Sequence, residues 1–89
     1  MSKLYRILTE DKDREKVIQL VSEVSGGFTL IEAQGYWKGV AEKSIVIEID
    51  NDDITDVDIK ELAEKIRHAN NQECVLVQVM HVMSQLIYA

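Results

Sequence analysis

The sequence predicts an α+β domain whose elements run β-α-β-β-α-β, and three observations carry that prediction. Residues 17–24 and 59–66 space their apolar side chains three and four apart, the helical period. Four other short segments are apolar or alternate apolar with polar residues, the strand period. Between them lie turn formers, Gly26-Gly27, Gly35 to Gly39 and Asn51-Asp52-Asp53, in a chain without proline.

Residues 3–9, KLYRILT, alternate Leu4, Arg6 and Leu8 against Tyr5, Ile7 and Thr9, which suits a first strand. A polar run over residues 10–16 follows, where Thr9 or Asp11 can cap a helix and acids suit the positive end of its dipole. Val17, Leu20, Val21 and Val24 then share one helical face. Gly26-Gly27 ends this helix, since glycine accepts the left-handed conformation common after helix C-termini. Residues 28–34 form the second strand and residues 44–50 the third. In the third, Ile45, Ile47 and Ile49 share one face while Ser44, Val46, Glu48 and Asp50 share the other, as in a half-buried antiparallel strand. The loop between these strands holds Gly35-Tyr36-Trp37-Lys38-Gly39.

Thr55 with Asp58 forms a capping box in which Asp replaces the usual Glu. Ile59, Leu62, Ala63 and Ile66 make the stripe of the second helix, which Asn70-Asn71 closes. Residues 73–80, ECVLVQVM, form the fourth strand, with Cys74 a small core residue. Residues 81–89 suit a fifth strand, a short helix or a packing tail, and their apolar content calls for burial, with a second subunit as one cover. With right-handed crossovers, this order gives a four-stranded antiparallel sheet with both helices on one face, the ferredoxin-like arrangement. The other face carries Leu4, Leu8, Leu30, Val46 and Leu76, and covering by a neighbouring subunit accounts for them.

At 89 residues the chain is a single domain with a thin core, a size that often gains stability by oligomerising. Its net charge of −6 argues against nucleic-acid binding, which needs a basic face. A small anionic ligand is still compatible, because a few local cations suffice to hold one. No apolar run is long enough for a membrane span, and the first residues lack the pattern of a signal peptide. The single cysteine, Cys74, has no internal partner, which fits a cytoplasmic protein.

His68 and His81 have no Cys/His spacing around them, and the acidic turn after the third strand lacks the glycine and glutamate of a calcium loop. Phosphate-loop, dinucleotide and nucleophile-elbow motifs are absent from the sequence. The sequence therefore specifies no catalytic set, metal site or cofactor.

The candidate binding residues are Arg6, Tyr36, Trp37, Lys38, Gly39, Glu42 and Lys43. Tyr36 and Trp37 suit stacking on a nucleobase, with Lys38 on a phosphate; Trp37 equally suits a subunit interface or a sheet edge. Glu42 can accept from a ligand hydroxyl or amine, or serve as a surface charge or an inter-subunit salt bridge. Arg6 can grip a carboxylate or phosphate in two-toothed fashion, or pair with Glu48 or another strand acid. Arg67 and His68 suit the negative end of the second helix dipole.

Gly27-Phe28-Thr29 opens the second strand, Gly35 and Tyr36-Trp37-Lys38-Gly39 occupy the loop, and Glu42 precedes the third strand. This layout resembles the PII and CutA groups of ferredoxin-like trimers. The resemblance implies a homo-oligomer that handles small ligands at that loop or in the groove below it. The long nucleotide loop and the basic cluster of true PII proteins are absent. The segments YRILTEDKDRE and GFTLIEAQGYWKG are also similar to small proteins of phages and their hosts. That second resemblance implies a sponge that sequesters nucleotide signals in anti-defence.

The expected function is thus a non-enzymatic, oligomeric module that binds a nucleotide or nucleotide-derived signal. The alternative is a protein-interaction or inhibitor module with an acidic surface. Ferredoxin-like domains also host enzymes, but only His68 or His81 would offer a base here, and no partner is positioned for either.

Overall fold

The computed structural model describes residues 2–89. Its elements are β1 (Ser2–Glu10), α1 (Arg14–Val24), β2 (Thr29–Trp37), β3 (Val40–Asp50), α2 (Asp56–Ala69) and β4 (Leu76–Val82). The strands form one sheet in the order β2-β3-β1-β4, with every neighbouring pair antiparallel. This is the ferredoxin-like arrangement that the periodicities predict.

The register explains which residues make the core. On β1, Tyr5 and Ile7 lie opposite Ile49 and Ile47 of β3 and opposite Val79 and Val77 of β4. Of these, Tyr5, Ile7, Ile47, Ile49 and Val77 pack with Val17, Leu20 and Val21 of α1 and Ile59, Leu62 and Ile66 of α2, while Val79 is exposed. Each large aliphatic side chain buried here stabilises the fold by roughly 1.5–3 kcal/mol before entropy is counted. Tyr5 also directs its hydroxyl at the start of α2, donating to Asp56 Oδ1 at 2.6 Å.

The helix ends differ in how far the sequence anticipates them. The capping box of α2 is present: Thr55 Oγ1 accepts from Asp58 N at 3.2 Å, and Asp58 Oδ2 accepts from Thr55 N at 2.9 Å. Asn70 caps its end, and Asn71 takes the left-handed conformation at φ 52°. The cap of α1 is Asp13, which accepts from Lys16 N at 3.3 Å, rather than Thr9 or Asp11. Thr9 is buried in β1, and the Asp11 carboxylate is engaged by Arg14. Ser25 leaves α1 in an extended conformation, so the left-handed glycine ending expected at Gly26-Gly27 does not form.

The largest departure is at the β2–β3 hairpin. The expected loop around Gly35–Lys43 is mostly strand, and only Lys38 and Gly39 turn the chain. Both have positive φ, 52° and 79°, as in the tight two-residue turns that match the twist of a hairpin. Gly35 does not turn. It lies in β2 where a Cβ would meet Ser44 Oγ of β3 at 2.7 Å. Its lack of a side chain leaves room for the Ser44 hydroxyl and adds no loop.

Three further expectations change. Leu30 lies opposite Ile47 and packs on the core, so Ile31 takes its place on the open face. Cys74 is exposed in the connection before β4, which begins at Leu76. Residues 83–89 follow β4 without regular structure, and Met83, Leu86, Ile87 and Tyr88 are exposed rather than packed on their own chain.

Candidate functional site

A cleft of about 690 Å³ opens at one end of the sheet. It exists because the hairpin outruns its neighbour. Pairing between β1 and β3 stops at Glu10 and Ser44, whereas the β2–β3 pairing continues to Trp37 and Val40. The free end of the hairpin reaches the connection before β4, where Glu73 receives it. Leu8, Val46 and Leu76 contribute apolar wall, Tyr36 and Trp37 contribute aromatic wall, and Lys12, Lys38, Glu10, Glu42 and Glu73 contribute charge.

The connection that carries Glu73 is tied to β1 by an amide network. Asn70 Nδ2 donates to the Glu10 carbonyl and to Gln72 Oε1, both at 3.0 Å. Thr9 Oγ1 donates to the same Gln72 Oε1, and Arg67 Nη1 donates to the Gln72 carbonyl at 3.2 Å. Asn70 is buried, so these bonds are shielded and fix the loop to the strand end.

Glu73 Oε2 accepts from Trp37 Nε1 at 3.2 Å and lies 3.3 Å from Lys38 Nζ. Lys38 and then Trp37 stabilise the carboxylate and hold it below the usual glutamate range. The Lys38 ammonium is also 5.8 Å from the centre of the Trp37 ring, within cation–π reach. Deeper in the cleft, burial raises the Glu42 carboxyl, and the neighbouring Glu10 carboxyl raises it further. Lys12 Nζ lies 3.3 Å from Glu10 Oε2 and partly opposes the rise of Glu42. The cleft thus holds two adjacent acids, an indole edge, a phenol and two lysines.

Of the candidate residues, Tyr36, Trp37, Lys38 and Glu42 come together in the cleft. Gly39 shapes the turn above it. Arg6 does not take part. It sits mid-strand on the open face, with Nε 3.3 Å from Glu48 Oε2 and Nη1 donating to Gln78 Oε1 at 3.3 Å. The pairing with Glu48 that the sequence offered as one reading is therefore formed. Lys43 lies opposite Gln34 on the helix side of the sheet, and its carbonyl accepts from Asp11 N at 2.9 Å.

Glu10, Lys12, Gln72 and Glu73 were not among the candidates. Glu10 and Glu42 become neighbours only through the β1–β3 register, and Glu73 meets Trp37 across 36 residues of chain. Among the described residues no group of three or more His, Cys, Asp or Glu side chains is arranged to hold a metal ion. No described helix is long and apolar enough to cross a membrane.

No protein-family model matches the sequence, and no curated protein matches it. Solved structures do match its shape. A DUF3240 family protein from Shewanella baltica OS155 superposes with a TM-score of 0.72 at 11% identity, over 99% of this chain and 97% of that one. CPII, a nitrogen regulatory PII-like protein from Thiomonas intermedia K12 bound to ADP, AMP and bicarbonate, gives 0.67 at 17% identity, over 97% and 96%. The divalent cation tolerance protein CutA1 from Thermus thermophilus gives 0.64 at 10% identity, over 97% and 88%. At these identities the likeness is one of fold, and the chain shares the ferredoxin-like fold of PII-like and CutA proteins.

Proposed function

We propose that this protein is a non-enzymatic module that binds a nucleotide or nucleotide-derived signal in the cleft under the β2–β3 hairpin and acts as an oligomer. The observation that carries the reading is the convergence of Trp37, Tyr36, Lys38, Lys12 and the Glu10–Glu42 pair around one cavity. Each suits a different part of a nucleotide. An aromatic ring stacks on a base, a contribution of about 1–3 kcal/mol. Carboxylates accept from ribose hydroxyls, and lysines take a phosphate as point charges. Three acids against two lysines leave no surplus positive charge, which weighs against a polyphosphate more than against a ligand with one phosphate group. The fold likeness to CPII, whose structure holds ADP and AMP, supports the same reading.

Assembly rests on the open sheet face. It carries Leu4, Leu8, Ile31, Leu76 and Met80, none of them covered by a helix, around Val46, which its own chain already buries. Arg6 Nε, buried on this face without a correctly angled acceptor, adds a donor that a neighbouring subunit can satisfy. In a phage setting such an oligomer would serve as a sponge, lowering the free concentration of a host signal by holding it intact.

The test is a thermal-shift screen with AMP, cyclic AMP, ADP and ADP-ribose, read together with the fluorescence of Trp37, the single tryptophan. A bound ligand at a hundredfold excess over Kd adds about 2.7 kcal/mol, roughly 10 °C or more in Tm for a domain this small. The ligand should be recovered unchanged. Glu42 is the group in the cleft best suited to proton transfer, so recovery of a converted ligand would make the protein an enzyme. No shift and no fluorescence change with any of the four would contradict the binding reading.

A further inference from the structure

We infer that the Trp37 indole N–H and the Lys38 ammonium form an anion-binding fork, which the Glu73 carboxylate fills as an internal substitute for the phosphoryl group of a ligand. The inference deepens the nucleotide reading and rests on it for the identity of the cleft. Both donors converge on the same atom, Glu73 Oε2, at 3.2 and 3.3 Å. Successive residues of a regular strand point to opposite faces, so an adjacent pair does not ordinarily share an acceptor. These two share one because Lys38 has left the strand at φ 52°, a conformation that a non-glycine residue rarely takes. The turn therefore aims two donors at one point on the cleft wall.

Glu73 holds that point weakly. Its side chain is 68% exposed and that of Lys38 70%. An exposed pair of this kind changes an equilibrium by about fivefold or less. A phosphate monoester carries more charge than a carboxylate at neutral pH and offers three acceptor oxygens, so it competes well for the same donors. Glu73 would then act as a tethered competitor. It holds the hairpin over the cleft when no anion is present and moves aside when one arrives. All three residues line the cleft, so the displaced carboxylate and the entering anion use the same space.

The experiment titrates wild-type protein and Glu73→Gln with inorganic phosphate at constant ionic strength, following the fluorescence of Trp37. Glu73→Gln should bind phosphate about two- to fivefold more tightly, because it removes a competitor of that strength. Glu61→Gln makes the same change in net charge at an exposed position of α2 and should leave the phosphate affinity unchanged. Adding Lys38→Met to Glu73→Gln should abolish the gain. The fork is overturned if Glu73→Gln binds phosphate no more tightly than wild type, if neither protein binds it, or if Glu61→Gln gives the same gain. An equal gain for acetate overturns the phosphoryl assignment. Tighter phosphate binding without binding of any nucleotide removes the nucleotide reading and leaves the fork. Nucleotide binding without the phosphate gain removes the fork alone.

Discussion

The two faces of the sheet are built from the same strands, and alternate residues meet different fates. On one face Tyr5, Ile7, Ile45, Ile47 and Ile49 are fully buried beneath the helices. On the other, Leu4 and Leu8 are half-buried, and Ile31, Leu76 and Met80 are exposed at 41%, 54% and 39%. The first face is a closed core. The second mixes apolar residues with an ion pair, Arg6–Glu48, and ends in the cleft. The difference teaches that the chain satisfies its hydrophobic pattern only halfway by itself, and that both proposed activities, assembly and ligand binding, belong to the unfinished half.

Substitutions can break this comparison, and the largest effect belongs to the closed face. Ile47→Ala should cost about 2–5 kcal/mol through lost burial and a cavity, read as a lower denaturation midpoint in urea. The next effect tests the open face. Met80→Lys places a charge on edge strand β4 next to Leu4 and should leave the circular dichroism spectrum intact while dissociating the subunits in analytical ultracentrifugation. An unchanged sedimentation coefficient would mean that subunits do not meet through this face. Thr55→Ala removes the hydroxyl of the α2 capping box and should cost about 1 kcal/mol, whatever the oligomeric state.

The smallest effects are those of pH, and the carboxyls of Asp56 and Glu42 carry opposite signs. At the start of α2, hydrogen bonds from Tyr5 and then Lys3 hold Asp56 below the usual range. A depressed carboxyl contributes stability above its unfolded value, near pH 3.9, and loses it as pH falls. Burial, followed by the bond to Asp56, pushes the Tyr5 phenol up to about 12, so its share is lost as pH rises above about 10. Glu42, in the cleft, is raised instead. Its contribution is complete below its unfolded value, near pH 4.3, and declines as pH rises toward neutrality. Asp56→Asn should therefore weaken the protein at pH 7 and flatten its acid limb. Glu42→Gln should strengthen it at pH 7, and thermal melts between pH 4 and 7 separate the two.

The same comparison shows what was legible in the sequence. The closed face was legible because local periods encode it: Ile45, Ile47 and Ile49 alternate, and Ile59, Leu62 and Ile66 recur at helical spacing. The Thr55–Asp58 cap could be read for the same reason, being four residues long. The cleft was half legible. Tyr36, Trp37 and Lys38 stood out as aromatic and charged residues between two glycines, and Glu42 just beyond them, but the two glycines hid the turn. Gly35 makes room for the Ser44 side chain and of the two only Gly39 turns the chain, a distinction that needs the position of Ser44. Glu10 and Glu73 were not legible, because each acquires its meaning from pairings 32 and 36 residues distant. Leu30 and Ile31 exchanged faces for a similar reason, since one residue of register decides which side faces the helices.

Native mass spectrometry of the purified protein with added AMP tests the central claim most directly. Assembly through the open face and binding in the cleft together require an oligomer that gains the mass of AMP, up to one copy per subunit. A monomer that gains no mass at any AMP concentration would contradict both halves of the account.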